Sequence, residues 1–397
     1  MAGSVGVSPW AATARSLYLV AMGVFLVTIA IGILNGLDAV EFDRNQVLTH
    51  VHSGTVGWLT LAIVATTFLV YRATDTRLAI ALGITVPVYV LAFYTGSFPF
   101  RAISGTVLLV VILWLLAWTW RTYLAGERSL PRLGLALALT TFTYGAIVGV
   151  LLQVGFAAGT SIVPGDGIGA HAGAMTFGYL VLAGMAVAEW RVLGTTGIPR
   201  GGLVQMGALF IGGLILSIAL LTGASQIGGM LYLLAELVAV VLFLARVVPS
   251  AVRGIGSLAD GRGHLALASL WIVVALALFM YLVSQFIASP EGELNAGLLF
   301  ASDHSVYIGV ITNSVFAILA TLLAARALSP VVQAIVQWGM NAGLLVFVIG
   351  LVSGTQVLKQ IGAPTMGVCL LIGIALYGLG LLGARTDSAP EALAAAA

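Results

Sequence analysis

Four of the five histidines in the chain fall in three short stretches that can be laid on one another, and neutral imidazole is a good ligand for iron and other transition metals. Set in register on Gly57, Gly178 and Gly309, the stretches read HVHSGTVGW from His50, HAGAMTFGY from His171 and SDHSVYIGV from Ser302. His50 then corresponds to His171 and Ser302, and His52 to Gly173 and His304. A lone histidine near a helix end is an ordinary boundary residue. Equivalent positions of a repeat, by contrast, are carried to equivalent helix ends that face a common interior. Two imidazoles meeting there could bracket one iron, and a haem held between two helices is a common use of such a pair.

The elements that position these residues are membrane spans. Hydrophobic residues make up 60% of the chain and charged ones 8%, more apolar surface than a water-facing globule could hide in one core. A helix needs about 20 mostly apolar residues to cross the hydrocarbon layer. Twelve such runs follow one another, from 17–36 to 366–382, and leave no room for a soluble domain. The histidine stretches begin the second, sixth and tenth runs (51–70, 168–188 and 305–325), so the repeat unit is four helices. The expected fold is an all-α membrane protein of twelve transmembrane helices in a pseudo-threefold arrangement. Its units cover about 17–124, 132–248 and 263–384 of a single transmembrane domain, and residues 386–397 form a disordered tail.

Cytoplasmic loops of membrane proteins carry excess Lys and Arg. With the amino end inside, only Arg44, Arg101 and Lys359 of the 16 Lys and Arg fall outside, which predicts a multi-pass cell-membrane protein with both termini cytoplasmic. The histidines of the three stretches then lie near the outer face. The run 17–36 lacks a small-residue cleavage site and reads as a retained helix. A net charge of +2 excludes nucleic acid as a partner, and the single cysteine, Cys369, offers neither a disulfide nor a cysteine metal cluster. No Walker loop, dinucleotide fingerprint or HExxH is present.

A few polar residues inside the runs need a reason. Glu236 lies mid-span, where an ionisable group costs roughly 2.5–3.5 kcal/mol or more. It reads either as a proton-relay carboxylate or as a protonated acid bonded to a neighbouring helix. Gln153 and Gln285 occupy similar places in the second and third units and could orient a histidine ring or bond other helices. His264 begins the ninth run on the cytoplasmic side and reads as a boundary residue.

The histidine segments resemble the catalytic subunit of the haem-copper oxidase and nitric oxide reductase superfamily. HVHSGTVGW is similar to the helix 2 segment of its short members, and SDHSVYIG to the helix 10 segment of the reductase branch. The resemblance implies a low-spin haem b held by His52 and His304, with His50 the competing helix 2 ligand. It implies copper at His171, with His50 as a further metal candidate. Arg101 would then face haem propionates, and Tyr307 and Asn313 would be weaker candidates for the same pocket. Two departures stand against a complete binuclear centre: the seventh run, 203–221, has no histidine, and Ser302 occupies the place of the second helix 10 ligand.

The resulting expectation is a divergent haem-binding membrane protein with an electron-transfer or gas-binding role and a redox partner or cytochrome subunit. A secondary transporter using Glu236 as its coupling carboxylate is the rival. A haem and copper protein of the nitric oxide stress response is a further alternative.

Overall fold

The twelve apolar runs become twelve helices of 19 to 29 residues, described in a computed structural model over residues 8–289, 295–326 and 328–383. They are α1 (Pro9–Gly36), α2 (Arg44–Tyr71), α3 (Thr76–Tyr94), α4 (Phe98–Ala125), α5 (Leu130–Ala158), α6 (Gly167–Arg191), α7 (Arg200–Thr222), α8 (Ser225–Arg246), α9 (Arg262–Ala288), α10 (Ala296–Leu322), α11 (Pro330–Ser353) and α12 (Gln356–Gly383). Among the described residues there is no strand. The fold is that of an all-α, multi-pass membrane protein in a lipid bilayer, where only helices or closed barrels satisfy their backbone polar groups. The expected tail, 386–397, lies outside the described residues.

An even number of spans brings both ends of the chain to one face, where the Arg15 guanidinium donates to the Leu382 carbonyl at 3.1 Å. Arg44, Arg101 and Lys359 lie on the other side, here termed the far face.

The repeat is visible in how helices start and pack. On the far face α2, α6 and α10 each begin with a side chain that caps a free backbone N–H. Asp43 accepts from Gln46 N at 2.8 Å, Asp166 from Gly169 N at 2.8 Å and Asn295 from Leu298 N at 3.0 Å. Gln46 completes a capping box by accepting from Asp43 N at 2.9 Å. These three helices are the centre: 89%, 83% and 89% of their most apolar stretches are buried, against 33–67% elsewhere. Around them the fourth helix of each unit packs on the first of the next, α4 on α5, α8 on α9 and α12 on α1, so the ring closes.

The register glycines have a packing reason. A methyl group at Gly57 would strike Val24, one at Gly178 would lie 2.6 Å from Thr141, and one at Gly309 would lie 2.5 Å from the Trp271 ring. Each neighbour is on the first helix of its own unit. Gly309→Ala is expected to destabilise the protein by about 1–3 kcal/mol through overpacking, more than the gain of up to about 1 kcal/mol that alanine brings within a helix. Trp271 cannot simply swing away, because its Nε1 donates to Asn341 at 2.7 Å. Thermal unfolding in detergent measures the loss; an unchanged midpoint would mean that the contact is not tight.

Four residues before each register glycine the helix widens into a π segment, Ser53–Thr60, Ala174–Leu180 and Ser305–Thr312. Such turns are rare and re-aim the side chains around them. Threonine hydroxyls satisfy carbonyls five residues back, Thr60 at Thr55 (2.9 Å) and Thr312 at Tyr307 (2.8 Å). The central helices are also tied to each other: Trp58 Nε1 donates to Thr312 Oγ1 at 2.9 Å, and Thr176 and Tyr307 share a hydroxyl hydrogen bond of 2.8 Å.

Candidate functional site

The histidines of α2, α6 and α10 sit within the first turns after their caps, on the far face. His50 and His52 are two residues apart, which turns them by about 200° around α2. They therefore leave opposite sides of one helix. His52 shares a cavity of about 210 Å³ with His171. His50 instead lies on the side of α2 toward His304. The structure groups His52 with His171, and it is His50 rather than His52 that faces the side of His304.

All four imidazoles are held by the same nitrogen. His50 Nδ1 meets the Thr28 carbonyl at 2.9 Å and His171 Nδ1 the Gly145 carbonyl at 2.8 Å. His52 Nδ1 meets the Leu48 carbonyl and His304 Nδ1 the Phe300 carbonyl, both at 2.8 Å. A carbonyl only accepts, so each Nδ1 must carry the proton and each Nε2 keeps a lone pair. None of these Nε2 atoms hydrogen-bonds to a described residue. An imidazole with one nitrogen donating to a fixed acceptor and the other free is the arrangement of metal-binding histidines.

Thr28, Gly145 and Ala275 are equivalent positions of α1, α5 and α9, and the third accepts from Ser302 Oγ at 3.0 Å. One turn later the equivalent residues are Gly32, Gly149 and Phe279. A methyl group would lie 3.0 Å from His50 Cε1 at Gly32 and 2.7 Å from His171 Cε1 at Gly149, so each glycine makes room for a ring. Where the ring is absent, Phe279 fills the space and stacks on Phe177 at 3.3 Å. The third interface, with Gly173 and Ser302 at the ligand positions, is packed shut.

His52 is braced by Phe93, stacked at 3.6 Å, and by the edge of Tyr89 at 5.9 Å. His304 meets the edge of Phe347 at 5.0 Å. Arg101, expected at haem propionates, is 2% exposed and committed elsewhere. It donates to Asn45 Oδ1 at 2.7 Å and to the Phe93 and Ala92 carbonyls at 2.9 and 3.4 Å, which at the end of α3 also accept from Gly96 N and Thr95 Oγ1. Its guanidinium also lies 4.6 Å from the centre of the Phe93 ring, so its contribution is to hold the ring that holds His52.

Tyr307 lines the His52–His171 cavity, but Asn313 does not. Asn313 belongs to a separate buried network around His264, which is 1% exposed rather than at a boundary. His264 Nδ1 donates to Asn313 Oδ1 at 2.8 Å and its Nε2 accepts from Tyr377 at 3.5 Å, leaving no free lone pair. Neither glutamine orients a histidine: Gln285 is exposed on α9, Gln153 Oε1 makes no hydrogen bond, and backbone carbonyls do that work. Glu236 is fully buried on α8 with the Tyr232 hydroxyl as its polar neighbour, and it does not line the histidine cavity.

His50 and His171, both considered for copper, are on different interfaces. Among the described residues no three His, Cys, Asp or Glu side chains converge to hold a metal ion. Asp303, passed over in the sequence, lies against Thr176 and Tyr307 between α6 and α10. Its only signal there was a carboxylate next to His304.

Compared with known proteins, the chain matches no protein-family model and no curated protein.

Proposed function

We propose that the chain is an integral membrane haem protein in which His50 of α2 and His304 of α10 take the two axial positions of a b-type haem near the far face. The observation that carries this reading is the state of the imidazoles among the described residues: Nδ1 tied to a backbone carbonyl, Nε2 unbonded, and no third ligand alongside. Two ligands are too few to satisfy a bare transition-metal ion, which prefers four or more. They suit an iron that brings four porphyrin nitrogens of its own. The resemblance to the haem-copper oxidase superfamily supports the same reading, with His50 in the role first given to His52.

A haem held there by the two imidazoles would supply one-electron exchange. The protein would fix ring orientation through Thr28 and Phe300 and exclude water with the apolar flanks of α1, α2, α10 and α11. Electrons would come from a redox partner or cytochrome subunit at the far face. With no histidine on α7 and Ser302 in place of a further ligand, reduction of oxygen or nitric oxide is not part of the proposal.

Protein purified in detergent from haem-replete cells is expected to be coloured, with a reduced-minus-oxidised spectrum of the bis-histidine b type. A colourless, folded preparation would sink the proposal. Substrate uptake into vesicles that is lost in Glu236→Gln would then establish the transporter reading in its place.

A further inference from the structure

We infer that the cavity between α2 and α6 is a second haem site, with His52 and His171 as its axial ligands. This rests on the haem reading above and extends it to an interface that the resemblance does not assign to haem. Residues of six helices line the cavity, and both histidines are among them. Gly105, Ala146 and Gly149 leave parts of its wall without side-chain bulk, as a flat macrocycle requires, while Leu108, Phe142 and Val150 keep it apolar.

The threefold repeat carries the argument independently of the cavity. One relation links the histidine just before the π segment of one unit to the histidine that another unit anchors on its first helix: His304 with His50, and His52 with His171. The anchoring bonds correspond pair by pair, Phe300 with Leu48 and Thr28 with Gly145. So do the glycines that seat the rings, Gly32 and Gly149. An interface built for one iron centre is therefore built twice. The third copy shows what abandonment looks like, with Phe279 occupying the seat.

A bare metal ion fits this site less well than haem. The cavity lining contains no carboxylate and no cysteine; beside the two imidazoles it offers one thioether, Met175, and threonine and tyrosine hydroxyls, fewer ligands than the four or more a bare ion prefers. Haem needs only the two Nε2 lone pairs.

The test is haem stoichiometry of the full-length protein, measured as pyridine haemochrome per chain. Two haems are expected in the wild type. His52→Ala and His171→Ala should each fall to one, with the remaining haem removed by an additional His304→Ala. His171→Met keeps an iron ligand, so it should retain two haems with one low-spin spectrum shifted. Retention of the other haem shows that the variants fold. One haem in the wild type, lost in His304→Ala and untouched by His171→Ala and His171→Met, would overturn the second site and leave the first standing. One haem lost only with His52 or His171 would support this site and remove the one between α2 and α10. Absence of haem from folded protein would end both.

Discussion

His304→Ala should strip the haem between α2 and α10, whereas His264→Ala, in a histidine buried more deeply still, should leave every haem in position. Both side chains lie within the membrane-spanning helices, and what decides ligation is the engagement of their nitrogens. His304 spends Nδ1 on the Phe300 carbonyl and has Nε2 to give. His264 spends both nitrogens, on Asn313 and Tyr377. Loss of partners that merely orient a ligand already weakens metal binding about 10–100-fold. Loss of the axial ligand itself should exceed that, and the corresponding low-spin bands should vanish from the purified protein. Equal bleaching by the two substitutions would show that general packing, not ligation, holds the pigment.

The largest expected effect on stability lies on the other face. Glu189, fully buried near the end of α6, forms a two-pronged ion pair with Arg246 of α8, Oε1 to Nη1 at 2.6 Å and Oε2 to Nη2 at 3.1 Å. Gln205 of α7 accepts from the same guanidinium at 2.9 Å, and Thr195 donates to the carboxylate at 2.9 Å. Three helices of the second unit meet at this cluster. Glu189→Ala leaves Arg246 with the Gln205 carbonyl oxygen alone, and removing one partner of a buried pair costs about 3–5 kcal/mol. Because the Arg246 side chain is 20% exposed, the lower end of that range applies. Glu189→Gln, which keeps an acceptor, should lose less. Replacing both partners together, as in Glu189→Leu with Arg246→Met, should recover most of the loss. Thermal midpoints in detergent decide the matter, and a double variant no better than Glu189→Ala alone would contradict the account.

The number of helices and their grouping in fours were legible in the sequence because a bilayer enforces run length and because the register glycines have to be glycine. Gly57, Gly178 and Gly309 each face a side chain on the first helix of their unit, so the alignment that used them tracked a real steric constraint. The pairing of histidines was not legible. Register tells which residues are equivalent, whereas the partner of a face depends on which neighbour the ring of helices sets against it. His52 and His304 are equivalent to each other, and equivalence in a cyclic repeat separates residues onto different interfaces. Nor could the sequence show how deep His264 lies. Its position at the start of an apolar run places it at an edge, but Asn313, Asn341 and Tyr377 from other helices enclose it. Arg101 was read as an outer cation facing haem propionates because its bonds to Asn45 and to the carbonyls at the end of α3 depend on how α2, α3 and α4 pack and leave no mark in composition.

Because His50 and His52 leave α2 on opposite sides, that helix is the common wall of both histidine pairs, and its rotation about its own axis is a single variable that both must accept. Whatever seats itself against one ring sets the azimuth at which the other is presented. Under the two-site proposal, occupancy on one side and affinity on the other become linked quantities, equal in strength in either direction as thermodynamic reciprocity demands.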